Sequence, residues 1–399
     1  MRFAYDIDYP AERMEQSRRR MEARSRFEYV DRVPVGFCLV PRYFTPLFGI
    51  PYRAIFESVE EHYRWRLEFL KYRIENVGDD LACTSPTLCV GPYFDNVLDS
   101  DAFGAEVVWP ENETLHTRPS IHSVSQMERY RAPEPGTGLW GQARDWWLAM
   151  GELANDTKLT VGGQEGRVDV AALGIGGLSP HMIAIDLVGT DFYWWQVEYP
   201  DACHDFLRKI TDGLIAAQRY FMGIDPRPRG GFGLAEDTAT AMSAESFRGF
   251  CVPYTAELFD TFGAGFAGGR GMHMCGPSTH LHEALVGDLR ITSFDLFGYE
   301  VKPEDAARNL GGRMWLWGNV NPMLMLDGTR AETKGAALRA LEALAPCGGF
   351  MLGDGANVCP GTPLGNLAAL IEAADEYGVP APAPSLGQAA IRTREPPLS

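Results

Sequence analysis

The sequence predicts an α/β protein folded as a closed (β/α)8 barrel. Strand-sized apolar runs alternate with helical segments four times after residue 225, and the chain before that point has room for as many again. Such alternation is typical of parallel strands joined by crossover helices. A chain of 399 residues with 45% hydrophobic residues can also bury the core of one large barrel. A doubly wound open sheet is the structural alternative.

The elements follow from apolar spacing and from the residues at their ends. Helical spacing, often opened by Ser, Thr or Pro and closed by Gly, predicts helices. Shorter apolar runs between turn signals predict strands. The predicted helices span 52–78, 200–221, 243–263, 302–311, 329–345 and 362–378. The predicted strands lie within 33–40, 105–109, 230–237, 265–276, 288–298, 313–321 and 348–358.

Three regions are predicted along the chain. Residues 1–30 are expected to form a helical extension before the barrel, and residues 31–380 are expected to form the barrel itself. A stretch rich in Pro, Gly and Trp, at 110–170, is expected to run as a long excursion over the barrel. The tail at 381–399 is rich in Pro and Ala without periodicity, which predicts an extended or disordered segment.

Charge and hydropathy exclude two classes of partner. The formal net charge of -17 argues against nucleic-acid binding, which needs a concentrated basic surface. No window approaches the roughly 18 apolar residues that span a bilayer, and the first residues lack the apolar core of a secretory signal. A cytoplasmic protein without membrane contact is therefore expected.

The stretch "RGMHMCG" holds a candidate metal hemisite. His273 and Cys275 are two residues apart, and alternate residues of a strand project from the same face. Met272 and Met274 would then point the other way, into packing. His280 and His282 have the same spacing, but they follow a helix start, where that spacing separates side chains, so they are not predicted as ligands.

Zinc prefers Cys and His, and a catalytic zinc site usually has three protein ligands and one exchangeable position. Cys359 is the best third candidate, because it follows an apolar strand in a Gly-rich loop at the predicted barrel mouth. Cys347 is its rival, although "LAPCGGF" is typical of the turn at the opposite end of the same strand. The alternative is that Cys275 and Cys359 are ordinary buried thiols and that His273 is a hydrogen-bonded core histidine.

The second half of the chain, from "GFGLAEDTATAMSAESFRGFCVPYTAELFD" through "HMCG", "WLWGNVNP" and "GDGANVCPGTPLGNLAALIEAADEYG", resembles the uroporphyrinogen decarboxylase superfamily. It looks most like the corrinoid-dependent methyltransferase branch, which includes methylcobamide:coenzyme M methyltransferases and O-demethylase components. That branch carries an H-x-C-x(n)-C zinc motif, and the motif falls on His273, Cys275 and Cys359. The resemblance implies a (β/α)8 barrel.

The resemblance implies methyl transfer rather than porphyrinogen decarboxylation. The decarboxylase segment M-R-Q-A-G-R-Y matches "FCLVPRY", which keeps Arg42 but has Cys38 in place of the first Arg. The decarboxylase F-S-D segment matches "FDN", with Asn96 in place of the catalytic Asp and Asp95 adjacent. A tetrapyrrole with several carboxylates needs cationic clamps, so the loss of one clamp together with a zinc motif indicates different chemistry. A decarboxylase or other carbon-bond lyase acting on a small acid is the alternative function.

Further site residues are predicted at strand ends and loops. In "LAEDT", Glu236 and Asp237 are predicted catalytic, as a fourth zinc ligand or as a group that positions substrate, or else they cap the next turn. Asp295 is a candidate to orient His273. The predicted substrate-binding residues are Arg42, Asn96, His181 and Asn319.

The cofactors expected are zinc and a corrinoid. No D-x-H-x-x-G segment, the usual cobalt-ligating motif, occurs in the chain, so a corrinoid would arrive free or bound to a partner protein. The predicted function is a zinc-dependent methyltransferase or O-demethylase component that acts on a small molecule. A non-catalytic corrinoid-binding protein is a third possibility. The clustered aromatic residues and the long tail favour a homodimer.

Overall fold

The computed structural model describes residues 2–263 and 269–380. Part of the predicted strand 265–276 and the whole predicted tail 381–399 lie outside the described residues. Strands and helices alternate through most of the described chain, so the α/β class is confirmed. Among the described helices, none combines the length and apolar character that crossing a bilayer requires.

Five parallel strands form the main sheet, in the order β11-β10-β9-β8-β7. The carboxyl ends of all five therefore meet at one edge. The described strands are β1 (Phe3–Ile7), β2 (Thr87–Val90), β3 (Glu106–Val108), β4 (His116–Arg118), β5 (Thr157–Val161), β6 (Gln164–Val170), β7 (Phe232–Ala235), β8 (Arg270–His273), β9 (Ser293–Asp295), β10 (Trp315–Val320) and β11 (Phe350–Asp354).

One further segment extends the main sheet at each side. Val35 forms a parallel bridge with Leu352 of β11, and Leu178 forms one with Ala235 of β7. The strand pairing within residues 2–263 and 269–380 does not close into a ring, so the predicted barrel is seen in part, as an open parallel arc.

The helices fall where the apolar spacing predicts them, with the long segments broken into shorter pieces. The predicted helix 52–78 becomes a 3-10 turn, α3 and a π turn, and 243–263 is divided at Cys251. The described helices are α1 (Ala11–Ser25), α2 (Pro41–Phe44), α3 (Val59–Tyr72), α4 (Leu98–Ala102), α5 (Val124–Arg129), α6 (Gly138–Asn155), α7 (Pro180–Val188), α8 (Asp191–Glu198), α9 (Pro200–Ile224), α10 (Ala244–Phe250), α11 (Val252–Phe262), α12 (His282–Gly287), α13 (Pro303–Leu310), α14 (Pro322–Asp327), α15 (Arg330–Leu344) and α16 (Leu364–Tyr377).

Side-chain caps fix the starts of several helices. The Ser58 side chain accepts the Glu61 N–H at the start of α3, and Ser179 does the same for Met182 at the start of α7. Thr329 and Glu332 form a reciprocal capping box at the start of α15. Such caps satisfy backbone donors that the helix leaves free and stabilise it by about 1 kcal/mol each.

The predicted N-terminal helical extension begins instead with a strand. β1 pairs in parallel with β5, β5 pairs with β6 as an antiparallel hairpin, and β6 pairs with β2. The hairpin belongs to the predicted excursion at 110–170, which also holds α5 and α6. The extension and the excursion therefore meet in one small sheet. α1 follows the strand and is joined to the main body where Arg20 pairs with the buried Asp80.

The main core lies between the parallel sheet and its helices. It includes fully buried side chains from β8 to β11 and from α9, α11 and α15, such as Phe294, Leu316, Leu214 and Leu341. This packing holds the sheet rigid and leaves the strand ends to carry polar side chains. The polar strand ends form the candidate site.

Candidate functional site

Register places several chemically active residues on one level of the sheet. Ala235 pairs with His273, His273 with Asp295, and Asp295 with Trp317. Partners in a parallel register project to the same side of the sheet. Asp295, predicted to orient His273, is therefore its direct neighbour. Burial raises the pKa of Asp295, and the nearby His273 opposes that rise.

The predicted alternation along β8 is confirmed by burial. Met272 and Met274 are fully buried, while His273 and Cys275 are partly exposed. The two methionines pack into the core, so the His and Cys side chains face the carboxyl edge of the sheet. The helical setting predicted for the two later histidines is also confirmed, because His280 lies in a 3-10 turn and His282 begins α12.

Asp237 joins the hemisite from the end of β7. One ligand atom from each of Asp237, His273 and Cys275 lies within 4.8 Å of the other two. Asp237 Oδ1 is 3.6 Å from His273 Nε2 and accepts the backbone N–H of Cys275 at 2.7 Å. A carboxylate, an imidazole and a thiol together are a donor set that suits zinc.

The charges around Asp237, His273 and Cys275 are compatible with a bound cation. Burial, followed by the neighbouring Asp237 carboxylate, raises the pKa of the Cys275 thiol to about 12. In this setting the thiol holds its proton at neutral pH, and a bound divalent cation would favour the thiolate instead. The residues present therefore fit a metal ion.

Cys359 lies at the same edge of the sheet but is not a member of that group. It follows β11, and its Sγ is 3.8 Å from Sδ of Met323, at the start of α14. The guanidinium of Arg42 opposes the rise that burial gives to the pKa of Cys359. Cys347, the rival ligand, precedes β11 and lies at the opposite end of that strand.

Arg42 lies in α2, close to Asp95 as well as to Cys359. Its Nε is buried and has no hydrogen-bond partner among the described residues. The Arg42 side chain therefore has unused donor capacity beside Cys359.

Asn96 and Asp95 occupy one turn with different surroundings. Asn96 is exposed, whereas Asp95 adopts a left-handed backbone with φ of 48° and accepts hydrogen bonds from Tyr52 and from the Leu115 N–H. In this structure Asp95 holds the turn together, and Asn96 faces solvent.

Asn319 and His181 are both buried and hydrogen-bonded. Nδ2 of Asn319 donates to the carbonyl oxygens of Gly298 and Val301, at 3.1 and 2.7 Å. Gly298 has a φ of 83°, and a Cβ there would lie 2.3 Å from the Gly276 carbonyl oxygen, so only glycine fits. Asn319 thus secures the turn that packs against the loop after β8.

Glu236 and Asp237 are consecutive but belong to different groups. Glu236 is fully buried, and its ligand atom lies within 4.8 Å of those of His181 and Cys251. The sequence prediction treated the two acids as one pair, and it did not single out Cys251. Because adjacent residues at a strand end point to opposite sides, alternation was the signal that could have separated them.

Asp354 is a further buried acid that the sequence prediction missed. It ends β11, and its Oδ1 accepts the backbone N–H of Cys38 at 2.9 Å. Burial raises the pKa of Asp354 to about 7, and its Oδ2 has no hydrogen-bond partner among the described residues. The signal available in the sequence was a carboxylate in "LGDG" at the end of a predicted strand.

Comparison with known proteins gives consistent results. Methylcobamide:CoM methyltransferase MtaA of Methanosarcina barkeri is 30% identical over 214 residues, which is 51% of this chain and 58% of that protein. The corresponding protein of the strain Fusaro is 29% identical over the same extent. The match therefore spans less than two thirds of these relatives. A solved structure of a methyltransferase from Methanosarcina mazei aligns with a TM-score of 0.64 at 21% identity, covering 91% of this chain and 99% of that chain, and it supports the fold.

The family model for uroporphyrinogen decarboxylase matches residues 89–377. This range contains β7 to β11 and every residue of the group at the carboxyl edge of the sheet. The resemblance noted in the sequence is confirmed, and the chain belongs to the uroporphyrinogen decarboxylase family.

Proposed function

We propose that the chain is a zinc-dependent methyltransferase or O-demethylase component. It would transfer a methyl group between a corrinoid and a thiol, or another small acceptor or donor. The observation that carries the proposal is the convergence of Asp237, His273 and Cys275 at the carboxyl edge of the sheet. Family membership and the matched relatives named as methylcobamide:CoM methyltransferases support the same reading.

In this proposal His273, Cys275 and Cys359 hold the zinc, and Asp237 is a further ligand that substrate can replace. When bound there, zinc would depress the pKa of a substrate thiol, so that a nucleophilic thiolate forms at neutral pH. Cys359 stands at the same edge and would complete the set. Glu236 lies with His181 and Cys251 rather than with Asp237, His273 and Cys275. We therefore propose that Glu236 supports catalysis indirectly, by anchoring Asp237.

The chain's own residues would orient the substrate and exclude water. Arg42 has an unpaired Nε and interacts electrostatically with Cys359, so it suits an anionic group on the substrate. Asn96 is exposed on its turn and would contact the outer part of a substrate. His181 and Asn319 are proposed to hold the substrate-binding loops in place from the protein interior, because each is buried and already hydrogen-bonded.

The proposal extends to architecture and partners. Residues 31–380 are proposed to form one closed (β/α)8 barrel, with residues 1–30 and the tail as additions. The corrinoid is proposed to come from another protein or from solution. Homodimerisation through aromatic surface remains part of the proposal, and Trp194 of α8 is one such residue, with 62% of its surface exposed.

The test combines metal analysis with a transfer assay. The purified chain is expected to hold zinc and to demethylate methylcobalamin when a suitable thiol is supplied, which the visible absorption of the corrinoid records. His273→Ala and Cys275→Ala should each remove the activity and the zinc bound at this site, while Cys347→Ala, at the other end of β11, should keep both. An unchanged zinc content together with unchanged activity in both site variants would overturn the proposal.

Asp354 favours a second candidate function, a decarboxylase or other carbon-bond lyase acting on a small acid. Its pKa of about 7 and its free Oδ2 suit a group that donates and accepts a proton near neutral pH. Removing the metal with a chelator distinguishes the two candidate functions. A chain freed of metal that still releases CO2 from a small acid, and loses this with Asp354→Asn, would establish the second.

A further inference from the structure

The buried group formed by His181, Glu236 and Cys251 is separate from the site described above. All three side chains are fully buried, and one ligand atom from each lies within 4.8 Å of the other two. The group lies behind β7, on the side of the strand end that faces away from Asp237. The proposed reaction gives His181 and Glu236 supporting roles only and assigns no metal ion to this group.

The carboxylate of Glu236 is incompletely satisfied. Its Oε1 accepts the Thr238 hydroxyl at 2.8 Å and lies 3.6 Å from Nδ1 of His181. Its Oε2 is buried and lacks a well-formed hydrogen bond among the described residues, with the weakly donating Cys251 thiol beside the carboxylate. A buried carboxylate oxygen without a partner is strongly unfavourable unless a cation or a proton compensates it.

Two sulfur atoms complete the surroundings. Sγ of Cys251 is 3.7 Å from Sδ of Met242, and Met242 is 6% exposed. Burial and the neighbouring Glu236 raise the pKa of Cys251, so a thiolate there requires a nearby cation. An imidazole, a carboxylate and a thiol therefore surround one small volume, and a thioether lies beside the thiol.

The His181 ring is held as a metal-ligating histidine commonly is. Nε2 is 2.8 Å from the side-chain amide of Gln196, whose oxygen would accept an Nε2–H after a half turn of the amide. This hydrogen bond would leave the Nδ1 lone pair free to face Glu236 and Cys251. The Thr238 hydroxyl lies 2.8 Å from Nδ1 and donates its proton to Glu236, so without a cation Nδ1–H donates to the Thr238 oxygen, and a bound cation would replace that proton.

We infer that His181, Glu236 and Cys251 form a second, closed binding site for a zinc-like divalent cation, with Met242 as the fourth neighbour. The charges select the cation. One thiolate and one carboxylate carry two negative charges, which a divalent ion neutralises and a monovalent ion does not, and a buried net charge is strongly disfavoured. All three ligand side chains are fully buried, which favours a structural rather than a catalytic zinc ion.

Such an ion would fix the end of β7. The backbone N–H of Glu236 donates to the His273 carbonyl oxygen at 2.9 Å, which links the buried site to β8. Ligation of the Glu236 side chain would thus immobilise the peptide that presents Asp237 on the other side. The inferred role is structural and does not depend on the reaction proposed above.

Zinc content per chain tests the inference. The full chain, produced with Zn²⁺ and freed of loose metal by gel filtration, is expected to hold two zinc ions. Cys251→Ala and Glu236→Gln should each lose one. The control Cys203→Ala, which removes another fully buried cysteine of the same core, should lose none.

A triple variant, His273→Ala/Cys275→Ala/Cys359→Ala, isolates the second site, because it removes the three predicted ligands of the first. It should keep one zinc. Loaded with Co²⁺, it should show thiolate-to-cobalt absorption that disappears when Cys251→Ala is added. A triple variant without zinc, or an unchanged zinc content in folded Cys251→Ala, overturns the inference. If the first site binds no metal, the parent chain and the triple variant will both hold one zinc.

Discussion

Asp237 Oδ1 lies 3.6 Å from Nε2 of His273. The same oxygen accepts the Cys275 N–H, so one carboxylate contacts both residues of the hemisite from a neighbouring strand. His273 and Cys275 lie in the same segment, and Asp237 connects them to β7.

Asp237→Asn keeps an oxygen that can accept the Cys275 N–H but removes the negative charge. We expect zinc affinity to fall by at least about ten-fold, with little change in the free energy of unfolding. Competition with a chromophoric chelator measures the affinity, and thermal unfolding of the metal-free chain measures the fold. The exposed Asp191→Asn in α8 is the matched control and should change neither quantity.

Cys359→Ala should lower zinc affinity and abolish methyl transfer, because the variant removes the proposed third ligand. Cys347→Ala should change neither property, since Cys347 precedes β11 and lies far from the carboxyl edge. Metal analysis and the methylcobalamin assay on both variants decide the question. Equal zinc content and activity in the two variants would show that Asp237, rather than Cys359, completes the set.

Arg42→Gln should raise KM for an anionic substrate about ten-fold to a hundred-fold, because a hydrogen bond to a charged group contributes roughly 1.5–3 kcal/mol. The effect on kcat should be smaller. Kinetics with paired charged and neutral thiols provide the measurement. Arg53→Gln, at an exposed position, is the control. A KM increase of the same size for the neutral thiol would contradict a role in charge recognition.

Asn319→Ala should lower the free energy of unfolding by about 1–3 kcal/mol, because two buried carbonyl oxygens lose their donor. Denaturant unfolding measures this loss. If Asn319 also touches substrate, KM will rise in a variant that remains fully folded at the assay temperature. An unchanged stability would show that the turn at 298–301 does not depend on this side chain.

His62 should make stability depend on acidic pH. Its Nδ1 lies 2.7 Å from the Ile55 carbonyl oxygen, and its Nε2 accepts the Tyr93 N–H at 3.2 Å, so both nitrogens are satisfied only in the neutral ring. Burial, together with nearby Arg66, lowers the pKa of His62 to about 3.

The unfolded chain therefore takes up this proton near pH 6.5, and the folded chain takes it up only near pH 3. The free energy of unfolding should fall by up to about 1.4 kcal/mol per pH unit as the pH drops between these values. Above pH 6.5 this contribution to stability is fully present. Denaturant unfolding of the parent chain and of His62→Phe between pH 7 and pH 4 measures the difference in slope. Parallel slopes would refute the assignment.

The sequence predicted the parallel strands after residue 225 well, because their spacing and caps are local signals. The alternation that places His273 and Cys275 on one face is also local, and the structure confirms it. The small sheet joining β1 to the 157–170 hairpin was not predicted, since pairing between residues more than 150 positions apart leaves no local pattern.

The site residues show the same division between local signals, which the sequence carries, and contacts between distant residues, which it does not. Asp237 was predicted as a catalytic residue, but its separation from Glu236 depends on how the chain turns after β7. Cys251 could not be connected with His181 and Glu236, because three side chains from α7, the end of β7 and the residue before α11 meet only in the folded protein. Asp354 was predictable as a strand-end acid, but its raised pKa depends on burial.

The opposite orientations of Glu236 and Asp237 restrict how this segment can evolve. Each acid serves a different group of ligand atoms, so exchange of one for another ligand leaves the other acid in its own group. Insertion or deletion of a single residue between Ala235 and Thr238 would reverse the directions of the side chains. The buried Glu236 carboxylate would then turn outward, and the partly exposed Asp237 carboxylate would turn inward. Relatives with this arrangement should therefore differ in the side chains of the segment far more often than in its length.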